Sequence, residues 1–263
     1  NNTHNGTYQD ASTNMTVDLG VYVTVTMDYG DLPATYDVTN FGDDGARHTD
    51  DGLRLGTLWD ADADGQADGN AMGDDASGGD DEDGVSHPAG LGNGTWGDGT
   101  GNLELSLTGS GCVMAWVDWN GDGDFNDTVN DGVATVSELV FSEALSGAGP
   151  HAISFTAPRS TTGGGTFVYG NVLNARFRVV TTNQLTNWGI SCGDVNGAAQ
   201  SRYAGFAAGG EVEDYQWGFT PTAITLQQMN VDMETLPVVI RLSVLVLGLL
   251  TLLVFYRRRQ YYG

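Results

Sequence analysis

Stretches that repeat their apolar residues at helical spacing are scarce before residue 238, and this narrows the fold more than any single motif does. The chain carries instead short β-branched and aromatic runs broken by Gly, Asn or Asp, with 39 glycines among 263 residues. Such runs between turn residues predict the strands of an all-β fold. Strands are expected near Leu103–Leu107, Cys112–Trp119, Ser137–Phe141, His151–Thr156, Thr166–Tyr169, Ala175–Thr181 and Glu211–Phe219. In Cys112–Trp119, Val113, Ala115 and Val117 share one face, and Met114, Trp116 and Asp118 the other. Both faces are largely apolar, which suits a central strand in an antiparallel β-sandwich with long acidic loops.

Two acidic loops share one spacing. The first, DADADGQADG, sets Asp60, Asp62 and Asp64 at alternate positions before Gly65, with Asp68 following. The second, DWNGDGDFND, repeats the relation with Asp118, Asn120, Asp122, Gly123 and Asp124. Alternating oxygen side chains before a glycine turn can converge on one centre, as in the first half of a calcium loop. Ca2+ is therefore the expected ion; Mg2+ suits the loops less because it keeps several waters. The plainer alternative is that these are solvated Asp-Gly turns. Neither loop has a Glu at its twelfth position, where Ala71 and Val129 stand, and no helical pattern flanks either loop, so neither is an EF-hand. The missing ligand is sought in Asp74, Asp75, Asp131 or the acids of GEVEDY, Gly210–Tyr215; Glu213 and Asp214 complete the expected metal set.

The charge balance points the same way. Residues 1–236 hold 34 acids and six arginines, a balance of −28, and the chain has no lysine. Such a surface repels nucleic acid and anionic lipid headgroups and attracts divalent cations. Adaptation to high salt would also favour acidic, lysine-poor chains, but 14 of the acids collect between Asp43 and Asp83 at the spacing just described.

Glu211 and Glu213 would share a face of a strand and so invite a general-acid reading. They serve equally to bind a metal, or Arg176 and Arg178, which alternate on another expected strand. The four histidines show no zinc spacing, and neither GxSxG nor a cysteine–histidine motif occurs, so no enzymatic activity is expected. His48 is expected to be a structural hydrogen-bonding group. Cys112 and Cys192 either close a long loop as a disulfide or remain buried thiols; the disulfide is the expectation, and it is compatible with an oxidising compartment.

The C-terminal end differs in kind. Pro237–Tyr256 is 20 residues, about 30 Å as a helix and enough to span a bilayer. Arg241 would snorkel, and Arg257, Arg258 and Arg259 would face the cytoplasm. This tail is similar to bacterial surface-sorting signals, without an LPxTG or Pro-Glu-Pro sequence.

Two resemblances give these pieces an order. TVDLGVY, Thr16–Tyr22, resembles the last strand of the prealbumin-like β-sandwich repeats of bacterial adhesin stalks. DYGDLPATY, GARH, LRLGTLWDADADGQ, GDDASGGDDEDGV, AWVDWNGDGDFND, ARFRVV and GGEVEDYQ follow in the order seen in bacterial GEVED-domain proteins, across about residues 27–217. That resemblance implies a β-rich extracellular domain and no catalytic activity. The expected organisation is the end of a preceding repeat over 1–26, a GEVED-type sandwich over 27–219, a linker over 220–236, a transmembrane helix over 237–256 and a basic cytoplasmic tail over 257–263. The function expected is a calcium-stabilised module of a larger bacterial adhesin or structural surface protein, outside the cell and held to the membrane. It would meet a host, cell-surface or polysaccharide ligand. The rival is a carbohydrate-binding accessory module of a secreted hydrolase, with Trp96, Trp116, Trp119, Trp188 and Trp217 as stacking surfaces.

Overall fold

The computed structural model describes residues 26–36, 38–73, 80–87 and 96–218. The expected preceding repeat, apart from Thr26, and the linker, membrane helix and basic tail lie outside these residues, as do Asp74 and Asp75. Among the described residues no helix is long and apolar enough to cross a membrane.

Thirteen strands occur among the described residues: β1 (Asp28–Tyr29), β2 (Arg47–His48), β3 (Arg54–Leu55), β4 (Val85–Ser86), β5 (Thr100–Thr108), β6 (Gly111–Val117), β7 (Thr128–Asn130), β8 (Thr135–Ser137), β9 (Leu139–Leu145), β10 (Gly149–Thr156), β11 (Val172–Val180), β12 (Phe206–Ala207) and β13 (Glu211–Gly218). One sheet runs β10-β5-β3, with β4 also pairing β5, and the other runs β13-β11-β6-β9. Every pairing in these two sheets is antiparallel. Two smaller sheets, β1-β2-β12 and β7-β8, complete the architecture.

The alternation in β6 is realised. Val113, Ala115 and Val117 turn into the core between the sheets, where they meet Leu103, Leu105, Phe155 and Phe177. Cys112, Met114 and Trp116 turn the other way, into a second core with Leu32, Tyr36, Phe125 and Leu185. β6 is thus buried on both faces, by the facing sheet on one side and by loops and the short helix carrying Leu185 on the other.

Two sequence expectations are corrected. Thr166–Tyr169 is not a strand: a single bridge joins Phe167 to Ser160. Its amides go to loops instead, Thr166 N–H to the Asp131 carbonyl (2.6 Å) and Phe167 N–H to the Arg159 carbonyl (3.1 Å). Thr181, expected as the last strand residue, lies beyond β11 and opens a helix, α1 (Thr182–Trp188). Thr181 caps it by accepting the Gln184 amide, and Gly189 closes it at φ 69°. Cys112 and Cys192 form a disulfide with Cα atoms 5.8 Å apart, tying the start of β6 to the loop after α1.

Candidate functional site

The second acidic loop leaves β6 while still held to the sheet, because the Asp118 amide donates to the Asn174 carbonyl at 3.0 Å. The Asp118 carboxylate closes the loop on itself: Oδ1 accepts Gly121 N–H (2.6 Å) and Oδ2 accepts Gly123 N–H (3.2 Å). Gly121 and Gly123 sit at φ 73° and 94°, where a side chain would be strained. Oδ2 also accepts the Tyr36 hydroxyl at 2.6 Å, and Tyr36 stacks on Phe125 with ring centroids 5.1 Å apart. Asn120 donates to Asp122 Oδ2 (2.9 Å) and Asp127 Oδ2 (3.0 Å). Asp124 accepts Asn126 N–H and gives its own amide to Asp122.

A residue the sequence reading missed completes the loop. Glu138 lies between β8 and β9, fully buried, where its backbone carbonyl accepts Val117 N–H at 2.9 Å. Its carboxylate accepts Trp119 N–H (3.2 Å) and Asp127 N–H (3.4 Å). Asp118, Asp122 and Glu138 each offer an oxygen within 4.8 Å of the others, the one such acidic group among the described residues. Burial and the charges of Asp127 and Asp118 push the Glu138 carboxyl up to about 9, and burial also raises Asp118. Oxygen donors with excess negative charge suit a hard cation, and Ca2+ tolerates their irregular arrangement better than Mg2+ does. No sequence signal marks Glu138, since it meets the loop only through the pairing of β9 with β6.

The first loop spends the same spacing differently. Asp62 accepts Tyr29 N–H (3.4 Å) and the Gln66 side chain (3.1 Å). Asp64 accepts Gly65 and Phe41 amides, and Asp68 accepts Asn70 N–H. Asp60 donates its amide to Asp81 Oδ2 at 2.7 Å. Asp60, Asp62, Asp64 and Asp68 form no group like that of the second loop: the carboxylates of Asp62 and Asp64 reach Tyr29 and Phe41, while those of Asp60 and Asp68 turn to amides within the loop. Asp131, sought as an extra ligand, is a buried staple accepting the amides of Val133, Ala134 and Arg159.

Glu213 and Asp214 stand apart from the second-loop group, for a reason visible in their partners. Asp214 grips Arg176 through two bonds, Nε–Oδ1 at 2.7 Å and Nη2–Oδ2 at 2.6 Å, with both side chains fully enclosed. Its Oδ2 also accepts Leu32 N–H at 3.0 Å. A Cβ on Gly30 would collide with this pair, so the DYGD segment needs its glycine there. Glu213 faces the other side of β13 and accepts Gly84 N–H (2.9 Å) and the Tyr215 hydroxyl (3.0 Å). Glu211 accepts Leu55 N–H at 2.6 Å. The two glutamates therefore fasten β3 and the turn before β4 to β13.

Arg178, one step along β11, donates to the carbonyls of Arg202, Ala204 and Gly205 and to His48 Nε2 at 2.9 Å. An imidazole accepting at Nε2 must carry its proton on Nδ1, which then donates to the Gly209 carbonyl at 3.0 Å. Burial and Arg178 depress the His48 pKa well below 6.5, so the ring stays neutral. His48 is a structural hydrogen-bonding group, as its sequence context predicted.

Strand β6 at one end and β13 at the other now frame a segment holding the gathered carboxylates, both buried arginines and the closing motif. Residues 113–217 match the GEVED domain model. The GEVED match thus takes in Asp118, Asp122, Glu138, Arg176, Arg178, Glu213 and Asp214, and leaves out the first acidic loop, which lies N-terminal to it. No curated protein and no solved structure shows a significant match to the chain. Of the tryptophans weighed as stacking surfaces, Trp96, Trp116, Trp119 and Trp217 are buried in the cores. Trp188 is half-buried beneath the guanidinium groups of Arg178 and Arg202.

Proposed function

We propose that this chain is a non-catalytic, calcium-stabilised module of a bacterial surface protein, placed outside the cell and tethered through residues 237–256. The observation that carries the reading is the convergence of Asp118, Asp122 and Glu138 at the end of a central strand. Asp118, Asp122 and Glu138 would hold the ion, with Asn120 and Asp127 beside them. The ion would offset repulsion among acids that folding forces together. It would bind the folded chain better than the open one, because Glu138 joins Asp118 only when β9 pairs with β6.

A display or adhesion role agrees with the GEVED match over residues 113–217 and with a disulfide suited to oxidising surroundings. The carboxylates most able to do acid–base chemistry, Glu211 and Glu213, are enclosed, and each holds a backbone amide through one oxygen. Burial of the four tryptophans removes most of the ring surface that the carbohydrate-binding reading relied on. The test is thermal unfolding with millimolar Ca2+, with Mg2+ at matched ionic strength, and with chelator. Ca2+ should raise the melting temperature, and Asp122→Asn with Glu138→Gln should remove the part of the rise that the Asp118 site supplies. An equal rise with Mg2+ would reduce the effect to charge screening.

A further inference from the structure

A second set of acids meets at the open edge of β13, away from the second loop. Asp28, in β1, is buried and accepts Val212 N–H at 3.0 Å. Glu211 is its neighbour along that edge, with no exposed surface; Oε2 holds Leu55 N–H, while the buried Oε1 has no hydrogen-bond partner. Asp81, also buried, accepts the Asp60 amide, and Asp60 Oδ2 is a second buried oxygen without a partner. Glu213, Asp28 and Asp81 stand near enough to Glu211 for their charges to act on it, and Asp60 and Asp62 act likewise on Asp81. A buried carboxylate oxygen left unsatisfied destabilises the fold, the more so when it is charged. Glu211 Oε1 faces the charges of Asp28 and Asp81, and Asp60 Oδ2 sits beside Asp81, so each lacks the positive partner that a hard cation would supply.

We propose that Asp28, Asp60, Asp81 and Glu211 form a second divalent-cation site, with Glu211 Oε1 and Asp60 Oδ2 as its inward ligands. No three of these oxygens lie within 4.8 Å of one another, unlike those of Asp118, Asp122 and Glu138. The ion would draw them inward or reach some of them through water, as Ca2+ readily does. Its ligands come from β1, the first acidic loop, the segment before β4 and β13, so it would clamp four separate parts of the chain. This site stands independently of the Asp118 site, and the two can fail separately.

The test is native mass spectrometry of the full chain titrated with Ca2+, paired with chelator-dependent melting. Wild type should carry two ions. Glu211→Gln keeps an amide oxygen for Leu55 N–H, and Asp60→Asn changes a half-buried residue; each should leave one ion. Adding Asp122→Asn with Glu138→Gln to either should leave none. If the Asp118 site fails and this one stands, wild type carries one ion that Glu211→Gln removes. The proposal is overturned if Glu211→Gln and Asp60→Asn both keep the wild-type ion count. It is overturned too if Glu211→Gln raises the melting temperature equally with and without chelator, which would mark Glu211 as a neutral acid.

Discussion

The two acidic loops share a spacing and diverge in structure. The second grows from the end of β6, a strand buried on both faces, and meets Glu138 across the β6–β9 pairing. The first runs between β3 and β4, two residues each, and ties its carboxylates one by one to Tyr29, Phe41 and Asn70. Spacing brings oxygens into the same neighbourhood; a rigid strand and a distant partner decide whether they meet. The same carboxylates otherwise act as caps for loop amides.

The contrast can be broken from beneath. The largest loss should come from neither loop but from the floor that fixes both ends of the domain. Asp214→Asn leaves Arg176 buried without its counter-charge and should cost about 3–5 kcal/mol in chemical denaturation. A cost below ~1 kcal/mol would mean the pair is relaxed or solvated. Next comes the disulfide: replacing Cys112 and Cys192 by Ser should cost about 2–4 kcal/mol, measured against the oxidised protein.

The contrast is sharpened by the ion. At a hundred times its dissociation constant, Ca2+ in the second loop should add about 2.7 kcal/mol to stability. Asp122→Asn should remove most of that gain. In the first loop, Asp64→Asn should leave the calcium response unchanged and shift basal stability by no more than about 0.5 kcal/mol. If Asp64→Asn weakens the calcium response as much as Asp122→Asn does, the two loops are equivalent and the contrast is lost.

A smaller effect separates the buried polar floor from both loops by pH. His48 is neutral in the fold, with its pKa depressed by burial and by Arg178. As pH falls through about 6.5, the unfolded chain takes up a proton there that the folded chain refuses. Stability from this group is therefore complete above 6.5 and declines below it, by at most about 1.4 kcal/mol per pH unit. Denaturation of wild type and His48→Gln between pH 7 and 5 should show the gap between them narrowing as pH falls.

Much of this was legible in residue order, and the rest was hidden for identifiable reasons. β6 announced itself because its two apolar faces each alternate over several positions. The alternation of Arg176 and Arg178 against Glu211, Glu213 and Asp214 was visible too, but not which partner each would choose. β11 and β13 settle it by placing Arg176 opposite Asp214. β1, β2, β3, β4 and β12 have two residues each, too few to show a period. α1 is also too short for one, yet Thr181 with Gln184 three residues on, and Gly189 beyond, form a start and stop signal that can be read in retrospect. Glu138 offered no such signal, because its place depends on how a distant strand is paired.

The clasp at β13 also governs how the fold would bear load. Asp28 holds the Val212 amide and Asp214 holds that of Leu32, so the first described strand is latched to the last. Tension applied between residues 26 and 218 would strain these latches together with the Arg176–Asp214 pair, while β6 remains stapled through Cys112 to Cys192. A pulled chain would then yield at its clasp while the residues enclosed by the staple kept a fixed limit on their extension. The fold has the layout of a link that opens at its fastening before its body gives way.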